Sequence, residues 1–340
     1  MKKETVGIFL IILMVLGMLS VGTAVAKPIE LKFAHFMSPM HIQHQKSFAP
    51  FCKKVEELTD GKVMIKIYPG GVLGKPKQLP DAAIQGITDI AFIIPSYTTA
   101  RFPRTSAFDL PFLFDSATHA TKAIYDIYDK YLADDYKDYK VLWLYSGGPG
   151  HFMSITKPLR TMDDLKGMKL RTPSAYMSKF FKLLDVNPVG MPIFKLNMSL
   201  QKKVIDGMLA PWSTIKDFKM FDLVKHVTET YVYVSPMAVV MNKEKWASLP
   251  EYAKKAIDKA SGRQWGMHAS EVYDQHDIDT IKANEKNGKI AVYKIQQEEL
   301  QKIKGKVKVM ESDWIKAMTK KGLPAADIMQ AVHESAKKHK

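Results

Sequence analysis

The sequence predicts an α/β fold of two lobes, each a sheet flanked by helices, with a long C-terminal helix bracing both. Three observations predict it. Strand-like and helix-like segments alternate between Ile29 and Ile94 and again from about Lys140 onwards. The 340 residues exceed what one hydrophobic core usually organises. A strand-like stretch, Tyr231 to Met241, stands where the chain would return from the second series to the first.

Taken in order, Ile29-Glu30-Leu31-Lys32-Phe33-Ala34 alternates apolar and charged residues with a period of two, the pattern of a half-buried strand. Met40 to Leu58 carries apolar residues at helical spacing and closes on Thr59-Asp60-Gly61, with Gly61 suited to a left-handed cap. Val63 to Tyr68 alternates again, Gly70-Gly71 turns the chain, a helix runs from about Gln78 to Gln85, and Asp89 to Ile94 is an almost wholly apolar strand. This order implies a parallel sheet covered on both faces.

The second series opens with a strand at Val141 to Tyr145 and passes through Gly147-Gly148-Pro149-Gly150, a run of punctuating residues that suggests an interlobe crossing. Met168 to Thr172 reads as a strand, and Ser174 to Leu184 and Met198 to Val204 as helices, so the unit repeats. From Pro250 the sequence stays helix-compatible to Asn287-Gly288. It forms either one brace of roughly 55 Å, bent at Gly262 or Gly266, or two ordinary helices. The Lys-rich stretch from Gln297 to Lys340 reads as amphipathic surface helices. The first lobe is thus expected at 27–148 and 237–276, the second at 149–236 and 277–325, and a helical tail at 326–340.

Lys2 and Lys3 precede an uncharged apolar run from Val6 to Leu19 that gives way to small residues ending Ala24-Val25-Ala26. That is the pattern of a secretory signal peptide over residues 1–26, cleaved after Ala26 and too short to span a bilayer. A periplasmic location follows as an expectation. Cys52 is the single cysteine, so no intrachain disulfide forms, and its apolar surroundings read as those of a buried, inert thiol. The net charge of +15 suits either the steering of small anions or lysines scattered over solvated helix faces. A nucleic-acid partner is not expected, because no Arg/Lys run with interleaved aromatics occurs. Nothing marks a subunit interface, and a monomer is expected.

Enzyme signatures are absent: no Gly-x-Gly-x-x-Gly after a strand, no phosphate loop and no nucleophile elbow. His41 and His44 share a helix face at i, i+3, but a metal needs a third ligand that the sequence does not indicate, and neither metal nor cofactor is expected. The informative segment is Gly167-Met168-Lys169-Leu170-Arg171-Thr172-Pro173-Ser174, where a strand delivers Arg171 at its carboxyl end just before a helix starts. Ligands bind there in α/β sheets. A guanidinium fork matches a carboxylate in two parallel hydrogen bonds, and the free amides of the next helix add positive potential. Arg171 is therefore either an anion clamp or the partner of an acidic residue at the cleft edge.

Six segments, in order, resemble the substrate-binding subunit of tripartite ATP-independent periplasmic (TRAP) transporters. They are Gly61 to Gly74 (GKVMIKIYPGGVLG), Gly86 to Phe92 (GITDIAF), Ala100 to Phe114 (ARFPRTSAFDLPFLF), Asp164 to Pro173 (DLKGMKLRTP), Asn187 to Ile193 (NPVGMPI) and Asp206 to Trp212 (DGMLAPW). The resemblance implies a two-lobe periplasmic-binding-protein fold, type II-like, that closes on a small organic anion and delivers it to membrane permease subunits without catalysis. It also implies that Arg171 holds the ligand carboxylate. A secreted sensor presenting the same acid to a receptor is the alternative.

The departures from the family pattern bear on the ligand. Gly150 and His151 stand where many relatives carry a second Arg, Ile193 where Phe is frequent, and Met208-Leu209-Ala210-Pro211-Trp212 where a polar Gln-Glu-Asn-Pro is usual. A more apolar pocket with one cation points to a monocarboxylate or other mono-anion with an aromatic or apolar body. His151 is either a substitute hydrogen-bond donor or a loop histidine without a ligand role. Trp212 either stacks on the ligand or packs between the lobes. Phe36 and Tyr97 follow strand ends and are either pocket walls or buried packing. Asn187 and Gln78 are weaker polar candidates.

Overall fold

The computed structural model describes residues 27–340, and the expected export signal lies outside the described residues. Eleven strands form among these residues, some alternating and some apolar throughout: β1 (Ile29–Ala34), β2 (Val63–Tyr68), β3 (Ile90–Ile93), β4 (Tyr139–Ser146), β5 (His151–Ser154), β6 (Lys169–Thr172), β7 (Asn187–Gly190), β8 (Gly207–Ala210), β9 (His226–Glu229), β10 (Pro236–Asn242) and β11 (Ala291–Lys294). They form two sheets, ordered β2-β1-β3-β10-β4 and β11-β9-β5-β8-β6-β7.

Neither sheet is wholly parallel, contrary to the sequence expectation. In the first, β1, β2 and β3 are parallel while β10 runs antiparallel to both β3 and β4. In the second, β6 is parallel to β7 and β8, whereas β5 runs antiparallel to β8 and β9. The two reversed strands, β5 and β10, are each the first to follow a crossing from the other lobe. They enter their sheet from the cleft edge, so they run against strands that end there.

The crossings are 147–150 and 230–235, and they pair with each other. Gly147 N–H donates to Ser235 O at 3.0 Å, Gly150 N–H to Tyr233 O at 2.7 Å and Val232 N–H to Gly150 O at 2.9 Å. The strand expected from Tyr231 therefore starts only at Pro236, because the residues before it serve as a linker. Close packing explains the glycines: a Cβ on Gly150 would sit 2.0 Å from Tyr233 Cε1, and one on Gly148 would sit 2.1 Å from Asp277 Oδ2.

The helix expected over Met40 to Leu58 begins with a wide turn, His44–Phe48, before the regular helix Ala49–Leu58. Pro50 cannot donate, and Ala49 N–H reaches back to His44 O, which absorbs the mismatch. Gly61 ends the helix with φ +75° and an N–H donated to Glu56 O at 2.9 Å.

The sequence left one brace or two helices open, and two are found: Glu251–Lys259 and Gly262–Asn287. The break falls at Gly262, whose φ is +76°, and not at Gly266. Gly266 instead admits close contact, since a Cβ there would lie 2.2 Å from Leu144 O in β4. The 26-residue helix starts against the first sheet, caps the helix Ala117–Ile127 through the Asp274 carboxylate on the Ala117 and Thr118 amides (2.7 and 2.9 Å), and continues to Asp277, which accepts from Ser213 N–H in the second lobe. It is the brace.

Aromatic packing dominates the first core, where Phe33 meets Phe48 at 5.2 Å and Phe51 meets Trp143 at 4.9 Å. Cys52 is buried there, and burial pushes its thiol up out of the reactive range. Under part of the second sheet a smaller cluster of Met153, Leu196, Leu200, Met208, Trp212 and Val227 is buried. The C-terminal helices do more than coat the surface. Trp314 is buried with its indole N–H on Ser106 Oγ at 2.8 Å, and the helix Ala325–Lys338 returns to the first lobe, where His119 Nε2 meets Ala336 O at 2.7 Å. No helix among the described residues is long and apolar enough to cross a membrane.

Candidate functional site

Between the lobes, beneath the paired linkers, lies a cavity of about 40 Å³. A single water needs roughly 10–15 Å³ on this measure, so the space suits a compact occupant. The first lobe supplies Met37 after β1, Ile94 and Tyr97 after β3, and His41. Arg171 and Pro173 come from the end of β6, and Pro211, Ser213, Thr214, Asp217 and Phe218 from the segment after β8. The linkers add Gly147, Gly148, Tyr233 and Ser235, and the brace adds Tyr273. Carboxyl ends of strands thus build most of the wall, as the open-sheet rule requires.

Arg171 is 1% exposed, and its contacts are neutral. Nε donates to Met191 O at 3.0 Å, Nη1 to Leu209 O at 3.3 Å, and Nη2 reaches the Tyr97 hydroxyl at 3.5 Å. Among the described residues no carboxylate forms an ion pair with it. A buried guanidinium cannot shed its proton, and no acidic side chain among the described residues balances its charge. The alternative of an acidic neighbour at the cleft edge is thereby removed. Burial pushes the adjacent Tyr233 phenol up to about 12, with the Arg171 charge acting in opposition.

A second polar group on the wall was not read from the sequence. Asp217 Oδ1 accepts from His276 Nε2 at 3.1 Å and from Ile42 N–H at 3.2 Å, and Oδ2 lies 3.2 Å from His41 Nε2 without hydrogen-bond alignment. His41 Nδ1 accepts the Gln43 amide at 3.2 Å, which leaves the imidazole proton to Nε2. Burial lowers the pKa of His41 to about 4, against the opposing pull of Asp217. His44 does not join this group but meets His35 at 2.9 Å. Among the described residues no group of three or more His, Cys, Asp or Glu is arranged to hold a metal.

Of the residues singled out in the sequence, Arg171, Tyr97 and Ile193 come together on the cavity wall, where the Tyr97 hydroxyl also accepts the Ile193 amide at 3.3 Å. The other five lie elsewhere. Phe36 stands one layer behind Tyr97, ring centroids 6.3 Å apart, and meets Phe194 of the second lobe at 6.4 Å. Trp212 is buried in the second lobe's core, because its side chain falls on the face away from the cleft. His151 is buried at the start of β5, where Nδ1 accepts Thr230 N–H at 3.1 Å and the ring abuts Tyr231, so it holds the return linker. Burial alone lowers its pKa to about 3, and it stays neutral. Asn187 begins β7, the end remote from Arg171, with Nδ2 on Gly167 O at 2.8 Å. Gln78 is exposed and closes a local turn by accepting Lys75 N–H at 3.0 Å.

Tyr273, Tyr233 and Asp217 carried no sequence signal, because a helix or linker residue reaches this wall only through the closed arrangement of the lobes. His41 carried a signal that pointed to metal rather than to an aspartate.

Two sheet-and-helix lobes, joined by paired linkers and closed over a cationic cavity, define a class of hinged receptors for small anions. Within that class the chain belongs to the bacterial extracellular solute-binding proteins of family 7, whose family model matches residues 33–319, the substrate-binding proteins of TRAP transporters. It is 27% identical over 256 residues to the 2,3-diketo-L-gulonate-binding periplasmic protein YiaO of Escherichia coli K12, covering 73% of this chain and 76% of that protein. A TRAP solute-binding protein from Rhodoferax ferrireducens T118, solved with copurified benzoate, superimposes with a TM-score of 0.87 at 32% identity over 92% of this chain and 98% of that one. A marine metagenome TRAP protein described as specific for aromatic acid ligands, solved with metahydroxyphenylacetate, gives a TM-score of 0.87 at 32% identity over 92% and 99%.

Proposed function

We propose that this protein captures a small organic mono-anion, a monocarboxylate with an aromatic or apolar body, in the periplasm and delivers it to the membrane permease of a TRAP transporter. The observation that carries this reading is Arg171: a buried cation with no acidic partner on the wall of a cavity otherwise rich in Met37, Ile94, Ile193, Phe218, Met237 and Tyr273. Its Nε and Nη1 are committed to main-chain carbonyls, which fixes the plane of the fork before the ligand arrives. Closure excludes water and strengthens the ion pair in the lower dielectric. The benzoate and metahydroxyphenylacetate carried by the two similar structures support an aromatic body. Export by removal of residues 1–26 places the protein where such a receptor works.

Calorimetry with benzoate tests the reading, together with mass spectrometry of acids that copurify with the protein. The Arg171→Ala variant is expected to lose at least a hundredfold in affinity, since each charge-assisted bond contributes about 1.5–3 kcal/mol. Unchanged affinity in that variant rejects the role of Arg171.

A further inference from the structure

The cavity has two poles of opposite sign. Arg171 provides the positive one, without an acidic partner among the described residues. Asp217 provides the other: its side chain is 4% exposed, it lines the same cavity, and among the described residues no Lys or Arg pairs with it. An ionised carboxylate offers about four acceptor sites. Oδ1 takes two donors, His276 and the Ile42 amide, whereas Oδ2 lies 3.2 Å from His41 Nε2 and takes no aligned donor among the described residues. Oδ2 is left to accept from whatever occupies the cavity.

These groups come from three parts of the chain. His41 and Ile42 belong to the first lobe, Asp217 to the second and His276 to the brace. Closing the lobes therefore assembles the negative pole at the same time as it encloses the ligand. The pole is fixed in place when the cavity is shut.

We infer that Asp217 is a specificity-determining residue that restricts the site to mono-anions, admitting a carboxylate at Arg171 and a neutral or hydrogen-bond-donating group at the far end while refusing a second carboxylate there. This deepens the proposed function and rests on Arg171 as the anchor. Two negative groups enclosed together without a cation repel strongly in a dry site, whereas a hydroxyl or amide N–H satisfies the remaining acceptor of Oδ2. A hydroxylated acid is thus the best match of charge and hydrogen bonding that the wall offers.

The test uses pairs of equal size that differ in far-end charge: succinate against succinamate, and isophthalate against 3-carbamoylbenzoate, titrated calorimetrically into the wild-type protein. Within the pair that binds, the amide is expected to exceed the dicarboxylate by at least tenfold. The Asp217→Asn variant is expected to shrink that ratio at least fivefold. Equal affinity within both pairs, including failure of all four compounds to bind, overturns the inference, as does a ratio unchanged in Asp217→Asn. The wild-type comparison needs no variant to fold. Benzoate binding that disappears in Arg171→Ala keeps the proposed function standing even if the pairs show no discrimination. A wild-type protein that binds no carboxylate removes both.

Discussion

The two lobes meet at one cavity but contribute to it differently. From the first come Met37, Ile94 and Tyr97, apolar or weakly polar groups set on a core of stacked aromatic rings. The second brings both charged groups, Arg171 and Asp217, each tied down by hydrogen bonds that the chain itself supplies. Among the described residues the Tyr97 hydroxyl, His41 and the Ile42 amide reach from the first lobe to those charges. On the proposed function one half recognises and the other half covers, and the linkers must let the cover move without disturbing the recognition surface.

The linkers are where that division breaks most easily. Gly150 lies against the Tyr233 ring so closely that a Cβ would approach Cε1 to 2.0 Å and Cδ1 to 2.4 Å. Tyr233 is itself part of the cavity wall and donates to Leu209 O, the carbonyl that also holds Arg171. Gly150→Ala is expected to cost about 3 kcal/mol of stability, the upper end of overpacking effects, and to weaken benzoate binding as well. Denaturant melts and calorimetry read the two losses. A variant with native stability and affinity would mean that the linkers are loose enough to yield.

Acidification sharpens the comparison next, because neutral buried imidazoles support both lobes. His35 and His41 in the first are lowered to about 3 and about 4, and His151 in the second to about 3, in each case chiefly by burial. The unfolded chain takes up protons as the pH falls below about 6.5, while the folded chain refuses them until near 4 or 3. Stability from these groups is thus complete above pH 6.5 and is lost as the pH falls toward 4. Asp109 and Asp277, raised to about 7 by burial, act oppositely: the folded chain keeps their protons up to that pH, so their effect favours folding as the pH drops from 7 to about 4. His151→Gln removes one imidazole and keeps an acceptor near Thr230 N–H. Its melting temperature is expected to fall less than the wild type's between pH 7 and pH 4.5. An equal or steeper fall would show that the linker histidine carries none of the acid sensitivity.

β1 to β4, β6 and β10 were legible because alternation, apolar runs and glycine punctuation are local signals, whereas β5, β8, β9 and β11, four residues each, were too short to show one. Arg171 was legible for the same reason, as a cation at a strand's carboxyl end before a helix. Trp212 and His151 lie next to the cleft segments but face away from them: Trp212 caps the short helix after β8 and turns into the second core, and His151, read as a loop residue, opens β5 and turns to the return linker. The reversed directions of β5 and β10 were hidden, since direction depends on where the chain re-enters a lobe. Asp217 was out of reach: its contact with Ile42 spans 175 residues, and it exists only with the lobes together. What the sequence withheld is what closure creates.

The smallest expected effect concerns the hydroxyl that bridges the lobes. Tyr97 is packed beside Phe36, and its oxygen touches both Arg171 Nη2 at 3.5 Å and the Ile193 amide at 3.3 Å, two long contacts rather than one strong one. Tyr97→Phe keeps the ring and its packing, so folding should be little affected. It removes one polar contact from a guanidinium already held by two carbonyls, at a net of about 0.5–1.5 kcal/mol. Benzoate affinity is expected to fall roughly threefold to tenfold, mostly through a faster off-rate, because the contact exists only after closure. Stopped-flow dissociation separates the outcomes: a slower on-rate with an unchanged off-rate would mean that Tyr97 works in the open form, and the covering lobe would then take part in recognition after all.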